Sequence, residues 1–330
     1  MQVGVIGVGR IGAYHAAILR DLPGVEKVLV ADSDQERAQQ IADELGVLAE
    51  SVDGAIAHAD AVVITAATTA HADLIVRCVD EGKATFCEKP ISVDLASTDR
   101  VVEHVKGAGG RVQMGFQRRF DPGYRAAHDL VASGDLGDLY TVRMAGHDPD
   151  PPHESYIPAS GGLFRDFSVH DFDALRFVTG DEVVSVYADG SVIAFPVFAK
   201  YDDIDTGAAL LRLASGALGI LSVTRHDPLG YDIRMELHGS GDSVVVGWDD
   251  RTPLRSLEPG VAPLPGPAYE RFQDRFREAY RLELAAFLEF AQGQRENPCT
   301  VDDARQALRI AVACDLSRAE GRPVRLEEVG

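Results

Sequence analysis

The chain has 330 residues, 45% of them hydrophobic and 25% charged, which is enough for two domains with cores of their own. Its 32 basic and 52 acidic residues give a net charge of −20, and no basic stripe interrupts that excess, which excludes a nucleic-acid surface. No apolar run reaches the roughly 18 residues of a membrane span, and the N-terminus has no basic stretch ahead of an apolar one.

Over the first 120 residues, short apolar runs alternate with amphipathic stretches. Strands are predicted at 3–6, 28–31, 61–65, 84–87 and 112–115, and helices at 11–20, 35–45, 71–81 and 95–106. Such alternation implies right-handed crossovers and a mostly parallel sheet. After Gly123 the pattern changes. A helix at 124–132 leads to a strand at 139–146, a loop rich in Pro, His and Asp at 147–160, and a helix at 162–179. Four strands follow at 183–189, 205–213, 217–224 and 232–239, a succession that predicts an antiparallel sheet. Residues 252–268 read as a loop, and helices at 268–292 and 301–320 close the chain. Phe272, Phe276, Tyr280, Leu284 and Phe287 recur at helical spacing and are expected to pack in a core. The four cysteines, Cys78, Cys87, Cys299 and Cys314, show no CxxC spacing and suit a reducing compartment. The expected location is the cytoplasm.

Gly7-Val8-Gly9-Arg10-Ile11-Gly12 follows the first strand and opens the first helix. Gly7 permits a tight turn, Gly9 leaves room for a pyrophosphate against the backbone, and Gly12 lets helix and strand pack closely. Asp32 ends the second strand, 20 residues after Gly12, where a carboxylate hydrogen-bonds the ribose of NAD. These signals predict an α/β protein. An N-terminal Rossmann domain binds NAD over residues 1–121. A C-terminal α+β domain, built on a mostly antiparallel sheet, covers 122–330.

Glu88-Lys89-Pro90 after the fifth strand resembles the glucose–fructose oxidoreductase / inositol dehydrogenase / MocA family. The resemblance runs through residues 4–15, 66–71, 88–90, 115–121 and 161–173, and 115–124 is particularly similar to bacterial inositol 2-dehydrogenases. It implies NAD-dependent oxidation of a secondary ring hydroxyl of myo- or scyllo-inositol, with Lys89, Asp166 and His170 acting together. It also implies cofactor contacts from Gly7, Gly9, Arg10, Ile11, Gly12, Asp32, Ala66, His71, Glu88 and Lys89, and substrate contacts from Lys89, Arg118, His147, Asp166 and His170. His153 lies in a loop whose alignment is open. The chemistry of the residues agrees. Asp166 and His170 stand four apart, on one face of a helix. A neutral imidazole takes a proton near pH 7, and a lysine ammonium favours alkoxide character at the same oxygen.

Phe167 departs from the family, which tends to have a small hydroxyl residue there. It is expected to alter the pocket wall and to put myo-inositol itself in question. Another sugar or polyol is the alternative substrate. A non-catalytic dinucleotide-binding regulator would be marked by a broken Lys/Asp/His set, and here the set is complete. A reductase would use the same groups in reverse. No histidine, cysteine or carboxylate spacing matches a zinc signature, so no metal is expected. A homodimer or homotetramer through the C-terminal sheet is implied by the resemblance.

Overall fold

A computed structural model describes residues 1–330. The N-terminal elements are β1 (Gln2–Ile6), α1 (Arg10–Asp21), β2 (Lys27–Ala31), α2 (Gln35–Leu45), β3 (Leu48–Ala49), α3 (Val52–His58), β4 (Ala61–Ile64), α4 (Thr68–Asp80), β5 (Ala84–Glu88), α5 (Leu95–Ala108) and β6 (Val112–Gly115). The strands form one sheet in the order β3-β2-β1-β4-β5-β6, parallel throughout. Val3, Val5, Val28, Val30, Ala61 and Val63 are all buried, which is why these strands read as unbroken apolar runs. Side chains cap the crossover helices. Asp34, Ser51 and Asp94 accept main-chain N–H bonds at the starts of α2, α3 and α5.

The second half runs through α6 (Pro122–Ser133), β7 (Leu139–His147), α7 (Ile157–Ser160), a π-helical turn (Phe164–Ser168), α8 (Val169–Thr179), β8 (Val183–Ser191), β9 (Thr206–Leu213), β10 (Leu218–Thr224), β11 (Asp232–Gly239), β12 (Ser243–Val246), α9 (Phe272–Arg275), α10 (Arg277–Ala291), α11 (Val301–Glu320) and β13 (Val324–Arg325). Its sheet has the order β12-β11-β7-β10-β9-β8-β13, antiparallel except where β10 pairs with β7. Along β9 and β10 buried and exposed residues alternate, so one face is covered and the other is open.

Two compact units result: Met1–Gln117 with Tyr280–Gln306, and Arg118–Ala279 with Ala307–Gly330. The boundary expected at 121/122, with all later residues in one domain, is corrected here. Leu284, Phe287 and Leu288 of α10 belong to the same core cluster as Val3, Val30, Val63 and Phe86. Leu284 and Phe287 are fully buried, so the core packing expected of this helix holds, but the sheet they cover is the first one. Two expected helices also differ. Residues 162–179 divide into the π turn and α8, and the helix expected from 268 breaks at Phe276, between α9 and α10. β3, α3, β12 and β13 escaped the sequence reading because each is too short to establish a period.

Leu284→Ala removes a fully buried side chain from the parallel-sheet core and should cost about 2–5 kcal/mol. Denaturant unfolding followed by tryptophan-independent far-UV signal should show the midpoint fall. A chain ended at residue 121 should not give a stable Rossmann unit, and a stable one would show that α10 is dispensable there.

Candidate active site

The register places Ile6 beside Ala31 on one side and beside Ile64 on the other, so the chain leaves β1, β2 and β4 at one sheet edge. This is the point where the strand order reverses, the usual crevice of an open α/β sheet. Gly7 donates its N–H to Ala31 O at 2.7 Å. Its φ is +91°, and a Cβ there would lie 2.3 Å from Ala66 Cα. A Cβ on Gly12 would lie 1.8 Å from Gly7 O. Thr65 locks the same contact by donating its hydroxyl to Gly7 O at 2.7 Å. Gly9 is different, because a Cβ on it would meet nothing within 4 Å. It begins α1 without a side-chain cap, so the start of that helix lies beside this open space. The cradle fits the pyrophosphate of a dinucleotide.

Asp32 follows β2 and is partly exposed. Its Oδ2 accepts the N–H of Val8 at 2.8 Å, and its Oδ1 accepts from Asp34 N at 3.0 Å and Ser33 Oγ at 3.3 Å. The glycine loop and the carboxylate are therefore held to each other. Ala66 is partly exposed beside Gly7.

Two residues expected at the cofactor also make contacts within the protein. His71 is buried, with Nδ1 2.7 Å from Pro90 O and Nε2 2.9 Å from Ala66 O. Burial pushes its pKa down while the two carbonyls push it up, and a neutral ring donates to only one of them. Its imidazole thus stands between the loop after β4 and the segment after β5. Glu88 places Oε1 2.8 Å from Nε2 of the fully buried His15, so its carboxylate is likewise engaged by the protein. Lys89 stands partly exposed just past the end of β5, and the Lys89–Pro90 peptide is cis.

In the second unit, the π turn carries Asp166, and His170 lies in the first turn of α8, both partly exposed. π turns inside helices recur at functional sites. Asp166 Oδ1 accepts the Tyr156 hydroxyl at 2.8 Å, and Oδ2 accepts from Arg225 Nη1 at 2.9 Å. Neither partner was singled out in the sequence, where Arg225 is merely the residue after a strand and Tyr156 part of an irregular loop. His147 ends β7, with Nε2 3.3 Å from Ser222 Oγ and Nδ1 3.6 Å from Asp232 Oδ2 and 3.8 Å from Asp227 Oδ2. Asp232 is in turn held by Arg234 at 2.7 Å.

Arg118, Phe167 and His153 make contacts within this unit. Arg118 is buried and paired with Asp171, which holds its guanidinium protonated. Phe167 is 8% exposed, and a Cβ on Gly146 of β7 would lie 2.5 Å from its ring, so the ring fills the space that glycine leaves and packs in the core. His153 accepts from Ser155 N at 3.3 Å and so shapes its own turn.

A parallel sheet in this order, with an open glycine cradle at its switch point and a carboxylate after β2, defines a dinucleotide-binding oxidoreductase fold. Residues 1–116 match the oxidoreductase family with an NAD-binding Rossmann fold, and residues 124–245 match the GFO/IDH/MocA C-terminal domain. The chain is 35% identical to the myo-inositol 2-dehydrogenase of Thermotoga maritima, over 100% of this chain and 99% of that protein. The crystal structure of a putative myo-inositol dehydrogenase from Sinorhizobium meliloti is similar with a TM-score of 0.91 and 35% identity, covering 99% of each chain. The scyllo-inositol dehydrogenase from Lactobacillus casei, solved with NAD(H) and scyllo-inositol, gives a TM-score of 0.89 and 28% identity, also over 99% of each chain. The protein belongs to the Gfo/Idh/MocA oxidoreductase family and binds NAD.

The two glycines should separate in experiment. Gly9→Val should leave the melting temperature near wild type and weaken NAD binding about tenfold or more, since it fills only ligand space. Gly12→Ala should lower the melting temperature, because overpacking costs about 1–3 kcal/mol. Calorimetry and NAD titration of both variants check this, and equal effects on melting would contradict the cradle.

Proposed function

We propose that the protein oxidises a secondary ring hydroxyl of an inositol to the ketone with NAD. The observation that carries this reading is full-length similarity to proteins named as inositol dehydrogenases, in a chain that holds Lys89, Asp166 and His170. Bound NAD supplies the hydride acceptor. The remaining work falls to side chains. His170, as a neutral imidazole, takes the hydroxyl proton. Lys89 places an ammonium at the oxygen where negative charge develops. Asp166, a carboxylate with both oxygens already directed, orients the imidazole or a second ring hydroxyl. Asp32 receives the adenosine ribose, and its negative charge disfavours the extra phosphate of NADP.

A panel of myo-inositol, scyllo-inositol and other polyols with NAD and NADP tests the reading directly. An inositol with NAD should give the highest kcat/KM, with NADP about ten- to a hundredfold poorer, an electrostatic preference of about 1.5–3 kcal/mol. His170→Ala should lower kcat about 10²- to 10⁴-fold with NAD binding kept. Lys89→Met should lower kcat/KM about 10²-fold or more. Activity confined to a non-inositol sugar would displace the substrate, and unchanged turnover in His170→Ala would displace the base.

The same reading includes a reducing cytoplasm, supported by four buried cysteines, none of them in a disulfide. No helix is long and apolar enough to cross a membrane. It also includes a homo-oligomer formed through the open face of the second sheet. Tyr187, Leu210 and Ile220 stand side by side there in register across β8, β9 and β10, each at least 40% exposed. Leu210→Asp with Ile220→Asp should shift the mass measured by light scattering to that of one chain. An unchanged mass would place the interface elsewhere.

A further inference from the structure

We propose that Arg225 is the positioning residue of this site, holding the Asp166 carboxylate by a buried ion pair while Tyr156 closes its other oxygen. The inference rests on Asp166 being a catalytic group, as proposed above.

Arg225 follows β10 directly, and its place is set by main chain. Its N–H donates to Asp205 O at 2.8 Å. The Asp205 carboxylate in turn accepts the N–H groups of Ile193, Ala194 and Phe195 at 2.7–3.1 Å and the Thr206 hydroxyl at 2.9 Å. The arginine therefore grows from a platform tied down on both sides. Its side chain is 3% exposed, so the cation is out of water and needs a counter-charge. Asp166 provides it at 2.9 Å, with Asp148 farther off at 3.7 Å and Asp203 adding to the field.

The rest of the guanidinium argues against a purely structural role. Nε and Nη2 are buried and meet no acceptor of the chain. An arginine retained to knit elements together uses its planar fork on carboxylates or carbonyls. Arg119 does so, giving Nε and Nη2 to Asp173 at 2.6–3.1 Å. Arg225 directs its one hydrogen bond to Asp166 alone.

The second contact has another character. Tyr156 is 46% exposed, at the end of a 3₁₀ turn (Glu154–Tyr156) inside the 147–160 loop. That turn is held at Glu154 by Lys200 at 3.1 Å and by the Tyr201 hydroxyl at 3.2 Å. The loop thus delivers a phenol to the solvent side of Asp166 while Arg225 holds the buried side. The π turn by itself leaves a four-atom side chain free to rotate, and the two contacts together fix its plane. A carboxylate fixed in this way presents its remaining lone pairs in one direction, as orientation of an imidazole or a ring hydroxyl requires.

The test compares Arg225→Gln, Arg225→Lys, Asp166→Asn and the double variant Asp166→Asn/Arg225→Gln. The readouts are kcat and KM with inositol and the Kd for NAD. Arg225→Gln should lower kcat about ten- to a hundredfold, the usual effect of misplacing a group at the reacting centre, with NAD affinity kept. Arg225→Lys, which keeps the buried cation, should fall between Arg225→Gln and wild type. In the Asp166→Asn background, Arg225→Gln should bring no further loss, because it acts through Asp166. Wild-type kcat in Arg225→Gln, or losses that add in the double variant, overturns the proposal and leaves the role of Asp166 standing. A fully active Asp166→Asn overturns the underlying reading instead. Should Arg225→Gln not fold, Arg225→Lys decides: a reduced kcat with NAD affinity kept supports the proposal, and wild-type kcat overturns it.

Discussion

At the carboxyl edge of the parallel sheet, the chain leaving β1 and the chain leaving β4 come into direct backbone contact, and the cofactor half of the protein depends on that closeness. Gly7 and Gly12 have no room for a Cβ, and the Thr65 hydroxyl bonds across the gap to Gly7 O. With the loop pressed down there, α1 begins close to the sheet, without a side-chain cap and beside the open space at Gly9. The Val8 N–H then reaches the Asp32 carboxylate, so the glycine loop and the residue after β2 are set by one short segment. Any side chain at the contact would separate the loops and misalign both.

The second unit solves a different problem. Its chain buries several arginines, and each is matched to an aspartate: Arg118 to Asp171, Arg119 to Asp173, Arg275 to Asp121 and Arg225 to Asp166. Removing one partner of such a pair costs about 3–5 kcal/mol, because the survivor is left as an unmatched charge out of water. Three of these aspartates, Asp166, Asp171 and Asp173, lie within eight residues on the π turn and α8. The segment that presents His170 is thus pinned by charge on several sides, and only Asp166 among the three remains partly exposed.

Several residues that stand near the site in sequence serve it from behind. The His71 imidazole lies between two main-chain carbonyls, those of Ala66 and Pro90, and donates to one of them. The Glu88 carboxylate meets the buried His15, while Lys89, just past the end of β5, is partly exposed. Phe167 fills the gap over Gly146 and belongs to the core, so its size gives no reason to doubt an inositol substrate.

The alternation of strands and helices, the glycine loop and Asp32 were legible in the chain because each is local. Parallel strands are buried on both faces and read as apolar runs, and a glycine loop followed 20 residues later by an acid lies within a single βαβ unit. Lys89, Asp166 and His170 were legible only through the resemblance. What the tertiary structure alone decided are the pairings between distant residues. Arg225 meets Asp166 across 59 positions and Arg118 meets Asp171 across 53. α10 returns from position 284 to cover a sheet that starts at residue 2. No period or spacing encodes which arginine a buried aspartate will find, because burial fixes that choice only once the sheets have brought the two side chains out of water together.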